Sequence, residues 1–173
     1  MLMFALDTSS ALVSVALLGD NKKVFFKQQV LERGQGEVLF PMIQELLKSS
    51  DQYMMDLTGV AVAVGPGSFT GVRIALATAR AIGLALNVPV YGVTNFEAVS
   101  FGLLKPVTVV LDSKRGDYFV QRFDEMGQSL DTPHIETEEQ LKKTLPFTAA
   151  GDGALTLTKK IGCKVIDKIS PSA

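Results

Sequence analysis

The sequence predicts an α/β protein of two lobes, each a sheet of strands with helical cover. Three observations carry that prediction. Short apolar strands alternate with stretches of helical periodicity along the chain. The segment Phe4-Ala5-Leu6-Asp7-Thr8 is echoed by Val109-Val110-Leu111-Asp112-Ser113, each an apolar run ending in an acid and a hydroxyl. In both places a second apolar run begins a few residues after the acid. Two unrelated β-hairpins would also produce such an echo.

The elements follow in order. Residues 2–6, 12–18 and 24–30 read as a three-stranded antiparallel meander, with Gly19-Asp20-Asn21-Lys22 as a hairpin turn. Residues 37–48 read as a helix, because Leu39, Met42, Ile43, Leu46 and Leu47 recur at helical spacing. Pro41 is then expected near its first turn, where a missing N–H is tolerated. The run Val60-Ala61-Val62-Ala63-Val64 suits a strand buried on both faces. Gly65-Pro66-Gly67-Ser68-Phe69-Thr70-Gly71 breaks it, and a long helix over 69–86 ends at Asn87 and Pro89. A strand at 88–92 and a helix over 95–103 complete a first lobe, 1–105. The second lobe, 106–173, holds strands at 107–111 and 118–123, a short helix at 136–143 and a strand at 147–150. It continues with a helical stretch through Lys160 and a strand at 164–166.

Composition narrows the function. The chain has 173 residues, 47% of them hydrophobic and 20% charged. That charged share lies below the ~25% of typical soluble domains. With a mean hydropathy of +0.25, some surface is expected to be covered by another molecule, although a well-packed core gives the same average. Seventeen Lys and Arg against eighteen Asp and Glu leave a net charge of −1, with no basic run longer than two. A stand-alone nucleic-acid binder carries a basic footprint, so any nucleic acid would have to be held by a partner.

One Cys and one His exclude a disulfide framework within the chain, a Cys-rich zinc site and a paired-histidine metal site. His134 sits in Asp-Thr-Pro-His-Ile-Glu-Thr-Glu-Glu and reads as plain surface in a Pro-broken acidic loop. The start, interrupted by Asp7, reads as a strand rather than a signal peptide. No uninterrupted apolar run reaches the ~18 residues of a membrane span. A cytoplasmic protein without membrane contact is the expectation, and a single Cys fits a reducing compartment.

Gly65–Arg73 is the most distinctive stretch. It is not a Walker A loop, because no Gly-Lys-Ser/Thr follows, and it lacks the Gly-x-Ser-x-Gly of a nucleophile elbow. Ser68 or Thr70 can cap the helix that follows. Between Phe69 and Leu86 only Arg73 and Arg80 are charged, so more than one side of that helix should be covered. Gly71, Ala75, Ala79 and Gly83 form a stripe of small residues at every fourth position. Tight packing on the chain's own sheet accommodates such a stripe. The reading favoured here gives one side of the helix to the sheet and the stripe to a partner helix, with Arg73 and Arg80 pairing with acids at its fringe.

The strand–Asp–turn–strand unit resembles the actin-like (ASKHA) fold of sugar kinases and chaperone ATPases, with mixed sheets flanked by helices. On that resemblance Asp7, Thr8 and Ser9 form one phosphate turn and Asp112 and Ser113 a second. Gly151-Asp152-Gly153-Ala154 corresponds to the glycine turn near the adenosine. The same residues also cap ordinary turns.

The resemblance becomes specific in FALDTSSALVSVALL, RGQGEVLFPMI, VGPGSFTGVRIALATARAIGLAL, VVLDSKRGDYFVQRF and GDGA, which together cover nearly the whole chain. These are similar to the TsaB (YeaZ) family. The resemblance implies a non-catalytic dimerisation subunit of the bacterial complex that makes threonylcarbamoyladenosine beside the tRNA anticodon. Its implied partners are a metal-bearing, TsaD-type catalytic paralogue, a TsaE-type ATPase, and a second copy when alone. Contact with tRNA would be indirect, and no metal or cofactor is implied beyond weak or absent ATP binding.

The implied interface lies on the helices 37–48 and 69–86: Glu37, Phe40, Pro41 and Gln44 on one, and Gly71, Arg73, Ala75, Ala79, Arg80 and Gly83 on the other. The turns at Asp7, Thr8, Ser9, Asp112, Ser113, Gly151 and Gly153 would be vestigial. Two departures stand out. Gln35 occupies the place of a usual histidine. The second lobe is short and expected to be truncated, with 170–173 as the approach to a C-terminal helix and the adenosine side incomplete. The alternative is an ASKHA ATPase or phosphotransferase acting through Asp7, Asp112 and the GDGA turn. A peptidase is disfavoured, since one His in an acidic loop makes a poor nucleophile–base pair.

Overall fold

The alternation of strands and helices folds as two mixed sheets. The computed structural model describes residues 1–20, 22–104, 106–144 and 147–166. Asn21 of the predicted hairpin turn and the stretch 170–173 lie outside them.

In the first unit, β1 (Leu2–Asp7), β2 (Leu12–Gly19) and β3 (Val24–Val30) form the expected antiparallel meander. α1 (Gln35–Ser50) leads to β4 (Gly59–Ala63), which runs parallel to β1. α2 (Phe69–Leu86) then leads to β5 (Val90–Val93), parallel to β4. The sheet order is β3-β2-β1-β4-β5. Strand side chains alternate between faces. One face turns Phe4, Leu6, Val13, Val15, Leu17, Val60 and Val62 into a single core with Leu39, Met42, Ile43 and Leu46 of α1 and Ala75, Ala79 and Ile82 of α2.

The second unit comprises α3 (Asn95–Ser100), β6 (Val107–Asp112), β7 (Tyr118–Phe123), β8 (His134–Glu136), α4 (Glu138–Lys143), β9 (Thr148–Ala150), α5 (Ala154–Ile161) and β10 (Lys164–Val165). Its order is β10-β9-β6-β7-β8. β6, β7 and β8 pair antiparallel, and β6, β9 and β10 pair parallel. Strand for strand, this is the plan of the first sheet, with β6 in the place of β1. The echo between Asp7 and Asp112 is therefore a repeat of topology. One face packs Val110, Val120, Leu141 and Leu157 together, and the other packs Phe96 and Val99 of α3 on Val107, Val109 and Phe123.

Several expectations change. The units divide between Thr94 and Asn95, ahead of the predicted boundary at 105, because α3 buries Phe96 and Val99 against β6. α1 begins at Gln35, after Gly34 takes φ 85° and its carbonyl accepts the Glu37 N–H at 3.0 Å. Pro41 consequently falls in the second turn, inside the helix, rather than near its start. His134 lies in strand β8, not in a loop. Counting uninterrupted apolar runs also overlooked α2, which by length and composition alone could cross a membrane. α2 instead packs on its own sheet through Ala75, Ala79 and Ile82.

Candidate functional site

The stripe of small residues on α2 faces inward. A Cβ on Gly71 would lie 1.9 Å from the Thr8 carbonyl oxygen, and one on Gly83 would lie 2.4 Å from Val90 Cγ2. Ala75 and Ala79 are fully buried in the first core. The reading of Gly71, Ala75, Ala79 and Gly83 as partner contacts is corrected accordingly. Their small size lets α2 approach β1, β4 and β5 closely, and no surface remains for a second molecule.

The opposite side of α2 is the exposed one. Phe69, Arg73, Ala77, Arg80 and Leu84 recur at intervals of three and four, which places them on one stripe at 100° per residue. Phe69 is 69% exposed and Leu84 86%. The Arg73 guanidinium lies 3.6 Å from the Phe69 ring centroid, so within the chain it meets an aromatic face rather than an acid. On α1, Glu37, Phe40, Pro41 and Gln44 are exposed at the same kind of spacing, Phe40 by 58%. The helices are neighbours: a Cβ on Gly36 would touch Ile74 Cδ1 at 3.6 Å. Sequence reasoning missed Phe69, Ala77 and Leu84. Following the register of the two arginines, rather than that of the small residues, would have found them.

Gly67 and Gly71 of the Gly65–Gly71 segment serve the turn after β1. Ser68 N–H donates to the Ser9 carbonyl at 2.6 Å, and a Cβ on Gly67 would meet that same oxygen at 2.4 Å. Thr8 Oγ1 donates to the Gly71 carbonyl at 2.6 Å, and Ser68 Oγ caps α2 by accepting from Gly71 N–H at 3.3 Å. Ser9 N–H donates to Asp7 Oδ1 at 2.7 Å. Asp7, Thr8 and Ser9 are all buried. Burial raises the Asp7 carboxyl above the usual carboxylate value, against the hydrogen bonds from Ser9. The Thr8 hydroxyl and the Ser9 N–H are committed to the fold, so this turn does not present them to a phosphate.

The second turn repeats the docking. Asp112 N–H donates to Asp152 Oδ1 at 2.9 Å, and Gly153 N–H donates to the Val110 carbonyl at 3.1 Å. Gly151 takes φ 106°, and a Cβ there would lie 2.4 Å from the Val110 oxygen. Ser113 Oγ donates to the Asp117 carbonyl at 2.9 Å. Asp112 accepts from Lys114 N–H at 2.7 Å and from Lys114 Nζ at 2.9 Å. Burial works to raise the Asp112 carboxyl, but the hydrogen bonds and charge of Lys114 outweigh it and hold Asp112 low. Asp152 is raised by burial. Among the described residues no group of three or more His, Cys, Asp and Glu side chains is placed to hold a metal ion.

Two sheets of one topology, each opening on a strand that ends in aspartate, define a protein of the actin-like (ASKHA) class. The ethanolamine utilization protein EutJ of Carboxydothermus hydrogenoformans shares the fold at TM-score 0.58 and 11% identity, over 99% of this chain and 86% of that one. The structure of YeaZ from Pseudomonas aeruginosa is nearer, at TM-score 0.84 and 22% identity with the same coverage. The tRNA threonylcarbamoyladenosine biosynthesis protein TsaB of Escherichia coli is 30% identical over 134 residues, 73% of this chain and 58% of that protein. A family model described as TsaD, tRNA N6-adenosine threonylcarbamoyltransferase, matches residues 29–165. The chain belongs to this family, on its TsaB (YeaZ) side. It spans less than two thirds of the length of the curated relatives it matches.

Proposed function

We propose that this chain serves tRNA threonylcarbamoyladenosine biosynthesis as a non-catalytic subunit. It pairs with a TsaD-type catalytic subunit through the exposed face of α1 and α2. One observation carries this reading: α2 leaves Phe69 and Leu84 largely in solvent on a stripe shared with Arg73 and Arg80, while Phe40 is exposed on the neighbouring α1. Exposed aromatic and arginine side chains on neighbouring helices match the composition of protein interfaces. Commitment of the Thr8 hydroxyl and the Ser9 carbonyl to the α2 N-terminus, and of the Ser9 N–H to Asp7, supports a role without nucleotide turnover at the first turn. In the absence of the catalytic subunit the same face pairs two copies of the chain. A TsaE-type ATPase joins the assembly, and tRNA is reached through the catalytic partner.

Light scattering of the protein, alone and mixed with the TsaD-type subunit, tests the reading. We expect a heterodimer mass that Phe69→Asp or Leu84→Asp abolishes while thermal melting stays unchanged. Undiminished heterodimer with both variants sinks the interface, and ATP hydrolysis by the chain alone that Asp7→Ala removes sinks the non-catalytic role.

A further inference from the structure

The single histidine of the chain stands at the edge strand β8 inside a cluster that neither the turns nor the helix face uses. His134 Nδ1 lies 2.8 Å from the Thr132 carbonyl oxygen, and Nε2 lies 2.7 Å from Glu136 Oε1. From β7, the Arg122 guanidinium reaches Glu136 Oε1 at 2.7 Å and Asp131 Oδ2 at 2.9 Å, and passes 3.4 Å from His134 Nε2. Asp131 Oδ1 also accepts the Arg122 N–H at 2.8 Å, which ties the connection before β8 to β7. Glu136 is nearly buried, and its Oε2 has no hydrogen-bond partner among the described atoms.

We propose that Arg122, Asp131, His134 and Glu136 form a proton-operated clasp, which fastens β8 and the connection before it to β7 while the His134 imidazole carries both ring protons. The geometry leaves the neutral ring no arrangement that donates to both oxygens. A neutral imidazole has one N–H and one lone pair, whereas here both nitrogens face acceptor oxygens. With the proton on Nδ1, the Nε2 lone pair can take the distant Arg122 Nη1–H at 3.4 Å but still faces a carboxylate oxygen at 2.7 Å. With the proton on Nε2, the Nδ1 lone pair faces a carbonyl at 2.8 Å. Only the imidazolium satisfies both contacts. Arg122 is the permanent half of the clasp, since it stays charged at any working pH. His134 is the switchable half. When it loses the Nε2 proton, Glu136 keeps only Arg122 among the described contacts, because every bond of its carboxylate runs through Oε1.

The charges facing the ring are Glu136 on its own strand, Asp131 in the connection and Arg122 on β7. The two acids outweigh the one cation. The hydrogen bond to Thr132, that to Glu136 and these two charges hold the imidazole pKa above its usual value, against the opposing effect of burial. A group raised in the folded state contributes stability that is complete below its unfolded pKa, about 6.5, and is lost as pH rises through the folded value. The clasp is thus closed in mild acid and loosens as the pH rises through the imidazole's raised folded pKa. Loosening frees the outer edge of β7, where Tyr118, Phe119 and Val120 pair with β8.

A single histidine makes the test direct. The imidazole carbon–proton resonance of the full-length protein is followed by NMR from pH 5 to pH 9, together with the amides of Ile135, Glu136 and Asp131. The expected result is an imidazole midpoint above 6.5, with those amides shifting at the same midpoint. In His134→Gln the amides should lose that transition, and this variant keeps a test available if Glu136→Gln does not fold. A midpoint at or below the unperturbed value overturns the clasp. Amides that do not follow the imidazole, or that titrate identically in His134→Gln, overturn it as well.

Discussion

Gly71 has no room for a methyl group. A Cβ would sit 1.9 Å from the Thr8 carbonyl, which is backbone and cannot swing aside. Gly71→Ala must therefore push the α2 N-terminus away from the turn after β1 and weaken the 2.6 Å bond from Thr8 Oγ1. Overpacking of this kind costs about 1–3 kcal/mol. Chemical denaturation should show that loss, and an unchanged midpoint would mean the helix end is looser than its contacts imply. Close approach to the same turn explains Gly67 as well, whereas Gly65 takes φ 92°. The sequence of the Gly65–Gly71 segment announced a special backbone but not the object it approaches. That object, the Thr8–Ser9 backbone, is some sixty residues away in sequence and adjacent only after folding.

At the level of elements, α2 was legible as a helix and illegible in its orientation. Its near lack of charge and its small-residue stripe were plain in the sequence. Two sides of an apolar helix compete for the core, and composition alone does not rank them. The sheet took the side with Gly71, Ala75, Ala79 and Gly83, because close approach needs small side chains over the strands. The larger Phe69 and Leu84 remained outside. Two substitutions on the one helix should then behave oppositely. Ala79→Asp buries an unpaired carboxylate and should lower the melting temperature severely or prevent folding. Leu84→Asp should stay within about 0.5 kcal/mol of the parent. Equal losses in the two variants would contradict the observed orientation. β8 was missed for a different reason. A three-residue strand beside a proline carries too little pattern to be read, and its pairing with β7 and the Arg122 cluster hold it.

For the molecule as a whole, each unit encloses its own core. Leu39 is fully buried in the first and Leu157 in the second, in separate clusters. Leu→Ala at either position should cost about 2–5 kcal/mol. The double variant should lose the sum to within about 0.5 kcal/mol, since sites in separate cores with no shared partners add. Urea unfolding of the three variants decides it, and a large departure from additivity would show that the cores are coupled.

The sequence by itself determined the echo of strand, aspartate and turn, the order of the elements apart from β8, and the family, because these rest on local periodicity and contiguous motifs. Tertiary structure alone decided which side of α2 is free, why the glycines of its N-terminal segment are needed, and that His134 belongs to a charged cluster. Each of those depends on a neighbour distant in sequence or on a choice between competing faces, and the packing of side chains against the sheets makes that choice.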